Sequence, residues 1–331
     1  MLLILLGYGS FCLAIGIIVF NMTASRRIYT KSSFVDSFDH VKDNKIMTPL
    51  LLAKSNWNNK PIEKVFVKAH TFWLVRLLLK ISNSKKDVVG DLYMHKSFSE
   101  NKTLAILVHG FSDSSSGMAY LAEAYYEKGI SSLAVNLFAH GESSGNFCGL
   151  GSSSTDGLDI LAWVNYIRNR FGADTKIILH GVSMGGATVI QAAFDHRIPV
   201  ALVVSDCAFS DFETQVKSSV RKFLPGGFVS LALVNGIMFF TSLINFFVNG
   251  FWFSQNSPQK VLQSAENTDF SIPLLIFHGA HDNLVLPKYA QAIYDSASEP
   301  KVLVTVANAP HIGSWFYDTD CYMEKIESLL Q

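Results

Sequence analysis

The chain has 331 residues, 49% hydrophobic and 12% aromatic, and balances 27 basic against 27 acidic side chains. Zero net charge supplies no bulk attraction to nucleic acid, and the length allows one large domain with an appendage. Four scattered cysteines (Cys12, Cys148, Cys207, Cys321) and histidines without His-Glu-x-x-His spacing give neither a disulfide framework nor a metal motif.

Met1 to Met22 is uncharged and rich in Leu, Ile, Val, Phe and Gly. Roughly 20 such residues span a bilayer as a helix. A cleaved signal peptide has a basic start and a shorter apolar core. This segment has neither, so 1–22 is expected to be an uncleaved, single-pass anchor in the cell membrane. Arg26, Arg27 and Lys31 follow it. Such cations favour a cytoplasmic domain, but a large following domain overrides that tendency, which leaves the membrane side open. Residues 23–86 form a juxtamembrane segment. Within it, Phe66 to Lys80 reads as an apolar helix, lying on the membrane or packed on the domain.

From Asp87 the pattern is regular. Asp87–Lys96 reads as a strand and Ser97–Thr103 as a polar turn. Leu104–Val108, Ser132–Leu137, Val200–Val204, Ile272–Phe277 and Lys301–Val306 are short apolar runs typical of buried strands. Tyr120–Lys128, Thr155–Phe171 and Asp320–Leu330 read as helices. Alternation of this kind predicts an α/β fold over 87–331, a mostly parallel sheet with helices on both faces. Sites in such sheets lie at the carboxyl ends of the strands.

Residues 212–268 interrupt the alternation. Phe228 to Val248 is uncharged and long enough to span a bilayer. A span here would put the strands before and after it on opposite sides of the membrane. Asn235, Ser242, Asn245 and Asn249 also share one helical stripe. The segment is therefore expected to be an apolar helical cap over the site.

Ile177-Ile178-Leu179-His180-Gly181-Val182-Ser183-Met184-Gly185-Gly186 carries the chemistry. A buried strand turns sharply into a helix with Ser183 at the apex, and Gly-x-Ser-x-Gly spacing serves the close backbone approach. A serine hydroxyl needs a base, and the base needs an orienting group. His311, just past the last strand, is the candidate base. Asp282, past the preceding strand, is the candidate acid, with Asp206 its rival and His281 a loop residue. An oxyanion requires backbone N–H donors; Met184 and Phe111 are the candidates, with His109 supporting the Phe111 loop.

His109-Gly110-Phe111, Gly181-Val182-Ser183-Met184-Gly185-Gly186, His278-Gly279 through Asp282, and Pro310-His311 together resemble the α/β-hydrolase superfamily. Asn136-Leu137-Phe138-Ala139-His140-Gly141-Glu142-Ser143-Ser144-Gly145 resembles that family's Asp-x-Arg-Gly-x-Gly-x-Ser loop, with Asn136 and Phe138 replacing Asp and Arg. More narrowly, the anchor, Gly149-Leu150-Gly151 and Ser205-Asp206-Cys207 are similar to bacterial membrane-anchored, "cell-surface" hydrolases. The resemblance implies the α/β-hydrolase fold and a Ser183/His311/Asp282 serine hydrolase without cofactor. The Phe-rich cap and the anchor point to a small-molecule ester or lipid-like substrate. A peptidase or amidase with the same triad is the alternative enzyme, and an inactive, membrane-tethered binding protein the alternative outside catalysis.

Overall fold

The computed structural model describes residues 2–25, 44–57, 59–69, 87–222, 228–266 and 268–330. Its strands are β1 (Glu63–Lys68), β2 (Asp87–Tyr93), β3 (Thr103–Val108), β4 (Ser131–Val135), β5 (Lys176–Val182), β6 (Leu202–Asp206), β7 (Leu274–Gly279) and β8 (Lys301–Val306). They form one sheet in the order β1-β2-β4-β3-β5-β6-β7-β8. β2 runs antiparallel to both of its neighbours, and every pair from β4 to β8 is parallel.

The apolar runs sit where the pattern requires. β3, β4, β6 and β7 are buried along their whole length, as central strands covered on both faces must be. Two apolar clusters lie on opposite faces, one around Trp163, Ile190 and Leu104, the other around Tyr125, Tyr322 and Leu107. Helices α1 (Leu2–Ala24), α2 (Asn44–Trp57), α3 (Phe98–Asn101), α4 (Ala119–Glu127), α5 (Leu158–Phe171) and α6 (Met184–Asp195) precede the cap. The cap region holds α7 (Phe212–Arg221), α8 (Phe228–Asn249) and α9 (Pro258–Ala265); α10 (Lys288–Ser296), α11 (Ser314–Tyr317) and α12 (Thr319–Ser328) close the chain.

Several expectations are corrected. Phe66 to Lys68 belong to β1, an edge strand whose exposed Phe66 and flanking Lys64 and Lys68 mask its strand character. The remainder of the helix expected over 66–80 lies outside the described residues apart from Ala69. The turn expected at 97–103 contains the single-turn helix α3. The helix expected from Thr155 starts at Leu158, after one wide helical turn at Ser153–Gly157. Within the cap, α9 packs on α6 and α10 as part of the domain wall, leaving α7 and α8 as the added helices. Asn235 is exposed, whereas Ser242, Asn245 and Asn249 are buried. The inward polar stripe therefore begins at Ser242.

α6 presses against the sheet more closely than side chains allow. A methyl on Gly181 would lie 2.0 Å from the Gly185 carbonyl oxygen, and one on Gly185 would lie 2.1 Å from that of Val108. Neither obstacle is a flexible side chain, so the backbone itself must shift. Gly185→Ala is expected to lower stability by about 3 kcal/mol. Urea unfolding checks this as a lower midpoint with an unchanged slope.

Candidate active site

The β5–α6 turn presents Ser183 at φ 57°, ψ −117°. This is a left-handed conformation that non-glycine residues rarely adopt, and such strain persists only where surrounding contacts enforce it. Here the Ser183 N–H donates to the Asp206 carbonyl at 2.8 Å and the Ser183 carbonyl accepts from Ala187 N at 3.2 Å. The turn leaves Ser183 half-buried at the carboxyl edge of the sheet.

His311 follows β8 and reaches Ser183: its Nε2 lies 2.9 Å from Ser183 Oγ. Its Nδ1 lies 2.7 Å from Asp282 Oδ2. A carboxylate only accepts, so Nδ1 carries the proton and Nε2 is left to accept from the serine hydroxyl. The other Asp282 oxygen accepts from the backbone N–H of Leu284 at 2.9 Å and Val285 at 2.8 Å. Burial by itself would raise the Asp282 pKa. Hydrogen bonds from His278 and His311, reinforced by the Val285 amide, outweigh burial and hold the carboxyl well below the usual carboxylate range.

His278 is the residue that motif reasoning left without a role. It is the penultimate residue of β7, four residues before Asp282, and is fully buried. Its Nε2 lies 2.8 Å from the Val285 carbonyl and 3.3 Å from Asp282 Oδ2. One N–H therefore serves both sides of the loop that holds the acid. A histidine near the end of a strand that leads into an acidic loop is the signal that would have found it.

Asp206, the rival acid, sits elsewhere in the network. Its carboxylate accepts from Ser314 Oγ at 2.7 Å and from Tyr322 OH at 3.2 Å. Burial pushes its pKa up to about 6, against these hydrogen bonds. His281 is exposed on the loop. The Cys207 thiol lies close to Asp282 and His311, their ligand-type atoms within 4.8 Å of one another. Burial, then the Asp206 and Asp282 carboxylates, raise its pKa, which suppresses the thiolate needed for metal binding or attack.

On the other side, Gly110 approaches Ser183: a methyl there would be 3.3 Å from Ser183 Cβ. This places the Gly110–Phe111 loop beside the serine. Phe111 is 42% exposed, and Met184 is the first residue of α6, whose amide no intrahelical acceptor can use. His109 supports the loop. Its Nδ1 donates to the Gly110 carbonyl at 2.7 Å and its Nε2 accepts from Leu137 N at 3.1 Å. Burial, followed by repulsion from His140, lowers its pKa to about 3, so it stays neutral. Asn136 bridges the next loop. Its Oδ1 accepts from Ser115 N at 2.9 Å, and its Nδ2 donates to Ser115 Oγ at 3.1 Å. The amide thus supplies a donor and an acceptor where the family's aspartate would only accept.

The comparisons with known proteins agree with this architecture. Residues 99–237 match the hydrolase family described as serine aminopeptidase, S33. The uncharacterized protein YfhR of Escherichia coli K12 is 25% identical over 183 residues, 53% of this chain and 54% of that protein. The match thus spans about half the length of that relative. The Pyrococcus furiosus esterase Pf2001 superposes with a TM-score of 0.59 at 17% identity, covering 83% of this chain and 92% of that one. Est1E of Butyrivibrio proteoclasticus, solved with ferulic acid, gives 0.50 at 20% identity, covering 74% and 93%. The chain has the α/β-hydrolase fold, and its match to a hydrolase family model covers less than half of its length.

The Asp206 pKa gives a pH test. The folded chain keeps this proton to about pH 6, whereas an unfolded aspartic acid loses it near pH 4. The native state therefore binds excess protons between those values. The resulting stability is complete below about pH 4 and is lost as pH rises to about 6. Asp206→Asn removes this titration. Relative to the wild type, the variant is expected to gain on the order of 2 kcal/mol between pH 4 and pH 7, read from paired urea midpoints.

Proposed function

We propose that the chain is a serine hydrolase acting on carboxylic esters, with Ser183 as nucleophile, His311 as general base and Asp282 as the orienting acid. The observation that carries this is the continuous hydrogen-bonded line from Ser183 Oγ through His311 to Asp282, at 2.9 and 2.7 Å. In the proposed reaction Ser183 Oγ attacks the ester carbonyl while His311 Nε2 takes its proton. The amides of Phe111 and Met184 receive the oxyanion. His311 then returns the proton to the departing alcohol, leaving an acyl-enzyme. Water, deprotonated by the same nitrogen, releases the acid and restores the serine.

Exposed apolar side chains stand beside these groups. Phe111 follows the glycine that abuts Ser183, and Leu284 and Leu286 follow Asp282, each at least 40% exposed. That rim supports an apolar acyl group, and the esterases among the structural neighbours support the ester. A peptidase or amidase reading draws on the aminopeptidase description of the matched family. We further propose association with a membrane through α1. Helix α1 is apolar and uncharged, and long enough to cross a bilayer. The small-molecule substrate would then be an amphiphile drawn from lipid.

Fluorophosphonate labelling followed by an ester series from acetyl to long-chain acyl tests the chemistry. Ser183→Ala and His311→Ala are expected to abolish labelling and lower kcat at least about 10⁴-fold, and Asp282→Asn about 10³- to 10⁴-fold. Asp206→Asn should keep its labelling. Hydrolysis of aminoacyl amides with esters untouched would replace the esterase reading by the peptidase one. A folded wild type that neither labels nor turns over any substrate would leave the binding-protein reading.

A further inference from the structure

The apolar N-terminal helix does not stand apart from the domain. α1 lies along α8 in parallel: Tyr8 OH donates to the Ala232 carbonyl at 2.5 Å, and Thr241 Oγ1 to that of Gly16 at 3.3 Å. Cys12 faces Gly236 between these contacts, so that a methyl on Gly236 would lie 2.7 Å from Cys12 Sγ. Small residues let the backbones approach, as helices do when packed in lipid. At its end, α1 joins the domain core: Phe20 and Ala24 are buried, and the Ala24 carbonyl accepts from Cys148 N at 2.7 Å.

These contacts occupy the middle of α1, so α8 must share whatever depth α1 takes. α8 cannot cross a bilayer. Its preceding helix α7 carries Glu213, Lys217 and Arg221, and is held to the domain where Gln215 Nε2 donates to the Leu284 carbonyl at 3.0 Å. Only residues 223–227 separate the charged Lys222 from α8. Six chain steps reach about 21 Å at most, short of the ~30 Å hydrocarbon core. The other end of α8 is tied down where Asn249 Nδ2 donates to the Cys148 carbonyl at 3.1 Å.

The outward faces of both helices are apolar. Phe11, Ile18 and Met22 of α1, and Leu231, Phe239 and Phe247 of α8, are each about half exposed. Residues 1–25 and 223–259 contain no charge, and in sequence the first charges beyond them are cations: Arg26 and Arg27, Arg221 and Lys222, and Lys260. Trp252 stacks on Phe246 beside this face, an aromatic suited to the headgroup level.

We infer that α1 and α8 form a two-helix platform lying in the plane of one leaflet of an anionic phospholipid bilayer, with both termini of α1 on the side of the hydrolase domain. This rests on the membrane association proposed above and replaces a transverse anchor with an in-plane one. In sequence, cations border both apolar stretches, which is the charge that anionic headgroups attract.

The test uses the full chain with an N-terminal epitope tag, bound to sealed vesicles of phosphatidylcholine and phosphatidylglycerol. A membrane-impermeant protease is expected to remove the tag from the same side on which it reaches the hydrolase domain. Phe239→Glu and Phe247→Glu are each expected to weaken vesicle binding about tenfold, with fluorophosphonate labelling unchanged; Phe239→Ser serves if the charged variants misfold. A tag sealed inside the vesicles overturns the in-plane arrangement and leaves the membrane association standing. Unchanged binding by folded α8 variants also overturns it. So does a lipid-free dimer that those variants dissociate, which would make a second copy the occupant. No vesicle binding by the wild type defeats the membrane association itself.

Discussion

The close approach of α6 to β5 and β3 sets most of the remaining geometry. The contact tolerates only hydrogen at Gly181 and Gly185, and it forces Ser183 into a left-handed turn. Asp206 is where that turn meets the other loops. Its backbone oxygen holds Ser183 N, and its carboxylate holds Ser314, three residues beyond His311. Behind it runs a directional chain: Tyr125 OH to His180 Nδ1 at 3.0 Å, His180 Nε2 to Tyr322 OH at 2.9 Å, and Tyr322 OH to Asp206. Every member is buried, so each bond also removes an unsatisfied group that would otherwise cost about 1–3 kcal/mol.

Two buried carboxylates near Ser183 are driven in opposite directions by what surrounds them. Asp282 receives two backbone amides and two imidazoles and stays ionised despite burial. Asp206 receives two hydroxyls, which donate more weakly than charged or ring N–H groups, and its pKa rises to about 6. An orienting acid must remain charged as the imidazolium forms. The environment therefore suits Asp282 to that task and Asp206 to bracing the His311 loop.

Much of this was legible from local pattern. The central strands read correctly because covering both faces of a parallel sheet demands unbroken apolar runs, and Ser183, His311 and Asp282 follow from the ends of those strands. What escaped was encoded in weaker or longer-range signals. β1 pairs only at an edge, so its side chains are mostly exposed and no apolar run marks it. α2 contains Pro49, which obscures the stripe of Ile46, Leu50, Ala53 and Trp57 at helical spacing. Asn235 shares the spacing of the buried asparagines, but α8 turns three faces to three surroundings. One stripe meets the domain, one meets α1, and the stripe of Leu231, Asn235, Phe239 and Phe247 faces outward. No local period carries the information that α1 occupies the second of these.

The loop around Gly149-Leu150-Gly151 ties α1, the cap helices and α6 to one another. This loop is buried without belonging to the sheet, so its backbone groups need side-chain partners. Gly151 N donates to Asp156 Oδ2 at 2.8 Å, and the Gly151 carbonyl accepts from Gln191 of α6 at 2.7 Å. The Leu150 carbonyl accepts from Asn256 at 2.7 Å, Asn256 Oδ1 accepts from Gln191 at 2.8 Å, and the Asn256 carbonyl accepts from the first amide of α7 at 3.0 Å. Cys148 meets Ala24 of α1 on one side and Asn249 of α8 on the other. Swinging the cap outward would strip several of these buried groups at once, at about 1–3 kcal/mol each. The cap helices α7 and α8 are thus tied to α1 and α6 through one buried loop.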